Sequence, residues 1–131
     1  DPSILFNNKK QTIKLHFDMF HGYGILDKAI DLLNNNDRDN FREYVNYNRS
    51  FNPHHMFITH PKIMNEWFKN VFDWLFKCEN LFGFKDLSGY ETRLYGYLAE
   101  RYLSYWFNKY TNPIEWEWTF VDMSDGKRTN A

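Results

Sequence analysis

The chain has 131 residues, 43% of them hydrophobic and 25% charged, a composition that excludes a disordered segment. A formal net charge of −1 leaves no basic excess to track a phosphate backbone, which disfavours nucleic acid as a partner. Cys78, the single cysteine, rules out an internal disulfide, and no apolar run approaches the roughly 20 residues that cross a bilayer.

Aromatic residues make up 21% of the chain, so much of the core is expected to be built from rings. Residues 1–14 read as an extended lead-in. Ile13, Leu15 and Phe17 alternate with Lys14 and His16, a weak strand pattern or an entry segment laid on the core. Gly22 and Gly24 mark a tight turn or a close backbone approach. A short helix is expected over Leu26–Asn34. A second follows over Asn40–Asn46, capped by Asp37 or Asp39. Met56–Thr59 is strand-like, with Thr59 a candidate cap and Pro61 suited to a first helical turn.

The strongest pattern is a pair of long amphipathic helices, Pro61–Phe82 and Gly89–Tyr110. In the first, Ile63, Met64, Trp67, Phe68, Val71, Leu75, Cys78 and Phe82 recur every three or four residues, and Phe72, Trp74 and Phe76 widen the apolar face. Gly83 ends it. Ser88 and Glu91 have the spacing of a capping box for the second helix, whose main face carries Leu94, Tyr97, Leu98, Arg101, Tyr102, Tyr105 and Trp106. A short connection favours antiparallel packing. Trp116, Trp118 and Phe120 alternate with polar residues as in a strand, with Trp116 and Trp118 either on a core face or free to stack on sugar rings. Residues 122–131 form a polar tail. The fold class expected is α+β, mainly α with short strands, as a single domain over 1–131.

Chemistry concentrates on the second long helix. Arg93, Gly96 and Glu100 lie on one side of it, and a mid-helix glycine costs about 1 kcal/mol relative to alanine. One reading is a hydroxyl-bearing ligand over Gly96, with Glu100 as acceptor or base and Arg93 as anion clamp. The other is an Arg–Glu network pinning two helices that approach closely at the glycine. Glu79, in an apolar neighbourhood, would need a partner if buried, and Arg93 is a candidate. His54 and His55 point to opposite sides of an extended chain and are ill placed to share a metal. His55 is the better site candidate because it enters the Met56–Thr59 segment. No Cys/His spacing implies zinc. Asp37-Arg38-Asp39 has the form of a cation-holding acidic triplet, but its place between helices favours capping.

Phe51-Asn-Pro-His-His-Met-Phe-Ile58, Trp74-Leu-Phe-Lys-Cys-Glu79 and Arg93-Leu-Tyr-Gly-Tyr-Leu-Ala-Glu-Arg-Tyr-Leu103 together resemble the family called domain of unknown function 4422, bacterial and viral glycosyltransferases of capsule and exopolysaccharide synthesis. The resemblance spans roughly His16 to Lys109 and departs at His55, where the family usually has Asn. It implies the C-terminal, acceptor-side part of a GT-A-like glycosyltransferase, a fragment or a reduced relative. A nucleotide sugar and a divalent cation would be held by an upstream donor-binding half. A start at Asp1 rather than Met leaves room for one. Glu100 would be the base, and Arg93 would orient it or meet the donor phosphates. Gly96, Tyr97 and His55 would meet a saccharide acceptor, with Glu79 and His54 behind them. The chain alone would be inactive. Cytoplasmic placement, peripheral to a membrane, and an oligomer are compatible with this reading. The alternative is a non-enzymatic helical module that docks a partner.

Overall fold

The computed structural model describes the backbone at residues 5–6, 9–117, 119–121 and 128–130, and side chains over residues 11–117. Among the described residues five α-helices carry the fold: α1 (Ile13–His21), α2 (Ile25–Asp31), α3 (Arg38–Tyr47), α4 (Pro61–Phe82) and α5 (Leu94–Tyr110). The α+β expectation is therefore corrected: this is a helical fold. Two short extended pairings, Leu5–Phe6 with Lys9–Lys10 and Thr119–Val121 with Arg128–Asn130, stand near the chain ends. Every core residue described lies on a helix or in a loop between helices.

Two strand readings fail for separate reasons, and a third, over 116–120, holds only in part, because the strand found there is Thr119–Val121, which takes in Phe120 but not Trp116. Ile13 and Phe17 are four apart as well as alternating, and both are fully buried on one face of α1, while Leu15 is exposed. Thr12 starts that helix by accepting a hydrogen bond from the Leu15 amide at 3.1 Å. Met56–Thr59 does alternate, with Phe57 packed on Phe107 and Ile58 wholly exposed, but it pairs with no strand among the described residues. Trp116 is exposed rather than on a core face, and the Trp118 side chain and the acidic residues Asp122 and Asp125 lie outside the described residues.

The helix pair forms as its periodicity requires. α4 starts on Pro61, whose missing N–H costs nothing in the first turn, and ends on Gly83 at a φ of 62°. A 3-10 turn, Gly89–Arg93, leads into α5, and the Ser88 side chain makes no capping bond there. Trp67, early in α4, packs on Tyr102, Trp106 and Phe107, late in α5. At the opposite end the Tyr95 hydroxyl donates to the Gly83 carbonyl at 2.5 Å. Those pairings make the two helices antiparallel.

α5 is buried almost all round from Leu98 to Trp106, so it is the central element and not one face of a hairpin. α1, α2 and α3 pack on one another, and α3 joins them to α5. Phe41 of α3 touches Trp74, Tyr102 and Tyr105 at ring separations of 5.1–6.0 Å. The Trp74 indole N–H donates to the Ala29 carbonyl at 2.7 Å and so ties α4 to the C-terminal end of α2. Cys78 is fully buried, and burial pushes its thiol up to about 12, which keeps it an inert packing group.

Candidate functional site

The N-terminal half of α5 carries the candidate site. Gly96 faces open space: among the described residues, a Cβ built there meets nothing within 4 Å. No neighbouring helix accounts for this glycine, so the close-approach explanation does not apply. One turn further, Glu100 is partly buried, its side chain 27% exposed, and accepts from the Arg101 guanidinium at 3.3 Å. Burial raises its pKa above 4.5, against the opposing positive fields of Arg101, His55 and His54. The two histidines before the Met56 segment lie close enough for their charge to act on the same carboxylate. Both are exposed.

The other expected members are more dispersed. Arg93, at the end of the 3-10 turn, is exposed, with its guanidinium 5.4 Å from the Tyr90 ring centre. Glu79 is exposed on α4 and forms no ion pair with Arg93, so water solvates a carboxylate that burial would have forced to pair. Tyr97 is half-buried and stacks on His21 at 3.9 Å.

Behind Glu100 lies a group that sequence reasoning placed on an apolar face without assigning it a role. Arg101 is 3% exposed, held between the Phe17 and Phe51 rings at 5.3 and 4.7 Å. Its Nη2 meets His16 Nδ1 and His21 Nε2, each at 3.4 Å, its Nη1 donates to the Tyr97 carbonyl, and its Nε has no hydrogen-bond partner. Burial, and then the neighbouring guanidinium, lowers both imidazoles from 6.5 to about 4, so they are neutral near pH 7 and accept from it. The signal was present: a lone cation amid Leu98, Tyr102 and Tyr105 must be either snorkelling or buried with partners.

A cleft of about 630 Å³ adjoins this site, between the α1–α2 turn and the segment leading into α5, and Tyr97 lines it. Among the described residues, no group of three or more His, Cys, Asp or Glu side chains is placed to hold a metal ion. The acidic triplet splits: Asp39 is exposed, whereas Asp37 is fully buried beneath three tyrosine hydroxyls. No helix among the described residues is long and apolar enough to cross a membrane.

The model of the family described as Domain of unknown function (DUF4422) matches residues 3–112. No curated protein and no solved structure matches the chain.

Proposed function

For a chain that belongs to the DUF4422 family, we propose a role as the acceptor-side part of a glycosyltransferase, which moves a sugar from a nucleotide sugar to a saccharide hydroxyl in surface polysaccharide synthesis. The observation that carries this reading is Glu100: a partly buried carboxylate of raised pKa, one turn from an uncovered helical glycine. A general base works best when its pKa approaches the working pH, and burial moves Glu100 that way. Arg101 fixes the carboxylate by a hydrogen bond from one side, and His54 and His55 approach it from the loop before α4. Gly96 leaves room for the incoming hydroxyl. The acceptor proton passes to Glu100 Oε1 or Oε2 as the hydroxyl oxygen attacks the anomeric carbon and the nucleotide leaves. On this reading the nucleotide sugar, and any divalent cation with it, is held by a donor-binding half outside residues 1–131.

Glu100→Gln keeps the shape and removes the base. In the enzyme joined to its donor-binding half, transfer falls by about 10²–10⁴-fold while helical content and melting stay unchanged. A variant that folds and transfers sugar at the original rate overturns the assignment. The acid limb of the pH–rate profile then belongs to Glu100: activity is lost as pH falls through a pKa above 4.5.

A non-enzymatic docking module is the second reading, and a different observation favours it. Phe68, Phe72 and Phe76 form an exposed aromatic ridge on α4, with ring centres 5.8 and 6.2 Å apart. The apolar face of α4 is therefore wider than its core contacts use.

A further inference from the structure

The cleft beside Tyr97 has a lining that selects among ligand chemistries. Phe20 and Tyr90 bring rings to it that are 61% and 78% exposed, and Leu87 and Leu94 add apolar surface. Exposed rings are costly to leave wet, and here they flank a concavity of ligand-pocket size. Two carboxylates, Asp86 and Glu91, also line it, and neither forms an ion pair with any described residue. His21 contributes an imidazole that is neutral near pH 7.

An anion would meet two carboxylates, which outnumber the one guanidinium, Arg93, over the Tyr90 ring. A wholly apolar ligand would strip water from Asp86 and Glu91 and give no hydrogen bond back. A cation would be drawn to the carboxylates, but the Tyr90 ring already carries the Arg93 guanidinium, which repels a second positive charge. The remaining chemistry is a neutral ring with an apolar C–H face and several hydroxyl donors. We infer that this cleft binds a neutral saccharide ring, its C–H face against Tyr90 and Phe20 and its hydroxyls donating to Asp86 and Glu91. The inference rests on the acceptor-side reading, because Tyr97 joins the cleft to Glu100 one helical turn away. It places a second sugar unit of the acceptor beyond the one that reacts.

The test is binding, measured without any transfer. Methyl β-glucopyranoside, methyl β-galactopyranoside and methyl N-acetyl-β-glucosaminide are titrated into isotope-labelled protein, with choline and inorganic phosphate as separate arms. At least one glycoside is expected to shift the amide resonances of Tyr90, Glu91 and Leu94. Saturation transfer should fall on its ring C–H protons. Tyr90→Ala, at an exposed position, weakens that binding about tenfold, whereas Phe72→Ala, on the far ridge of α4, leaves it unchanged. Shifts with choline or phosphate but no glycoside overturn the inference, as do glycoside shifts that survive Tyr90→Ala or no glycoside response at all. Glu100→Gln separates the two proposals. If it keeps glycoside binding and loses transfer, both stand; if transfer persists while Tyr90→Ala abolishes binding, the base assignment fails and the cleft stands.

Discussion

At the scale of single residues, Asp37 shows how far a side chain's role can depart from its position. It occupies the N-cap position of α3, as its place before the helix suggests, yet it makes no capping bond. Its carboxylate turns inward instead and accepts from Tyr102, Tyr105 and Tyr110 at 2.7–3.0 Å, with Lys109 and Asn34 completing the set. Burial alone would raise its pKa; the hydrogen bonds from Tyr110, Lys109, Tyr102 and Asn34 outweigh that and hold it below 3.8. The tyrosines and the lysine come from the later turns of α5 and Asn34 from the turn before α3, so one carboxylate fastens the central helix to the start of α3. Asp37→Ala strands three hydroxyls and a lysine and is expected to lower unfolding stability by about 3–5 kcal/mol, read from urea denaturation. Tyr102→Phe removes one bond and should cost only about 1–2 kcal/mol. Nothing in the local sequence distinguishes this aspartate from an ordinary cap, because its tyrosine and lysine partners are more than sixty residues away.

At the scale of elements, legibility follows the range of the forces involved. α4 ends where its apolar spacing and Pro61 and Gly83 say it should, since both signals are local. α1 is ambiguous in sequence because Ile13 and Phe17 fit a four-residue period while Ile13, Leu15 and Phe17 fit a two-residue one; the Thr12 cap decides for the helix. Gly96 and Glu100 share a side of α5 as their four-residue spacing predicts, whereas Arg93 falls in the 3-10 turn before it, and the depth behind Glu100 was not legible. Whether Arg101 is buried depends on Phe17 and Phe51, which come from distant segments. Gly96 gives this scale its prediction. With no atom near a built Cβ and no left-handed backbone, Gly96→Ala should stabilise α5 by up to about 1 kcal/mol. If the glycine exists to admit an acceptor, the same variant raises the KM for the saccharide while the melting temperature rises. A lower melting temperature would mean that an unseen surface covers this turn.

For the whole molecule, the Arg101 cluster couples three parts of the chain and makes their union sensitive to pH. His16 and His21 come from α1, Arg101 and Glu100 from α5, and Phe51 from the loop after α3. Each imidazole titrates at about 4 in the fold, against 6.5 as the ordinary value, because burial and the adjacent guanidinium oppose the imidazolium. Between those values the unfolded chain binds more protons, so stability is complete above about pH 6.5 and is lost as pH falls towards 4. Glu100 acts in the opposite sense, its pKa being raised, and offsets part of the loss. Asp37 adds its own loss only at lower pH, below the ordinary carboxyl value of 3.8. The net expectation is a decline on the order of 1–2 kcal/mol between about pH 7 and pH 5, after allowance for the partial exposure of both rings and the opposing effect of Glu100. Replacing both histidines with Gln removes the titrating groups and should flatten the unfolding free energy over that range. A wild-type curve already flat there would mean that water reaches Arg101 and both rings, and that the cluster is open to solvent in solution.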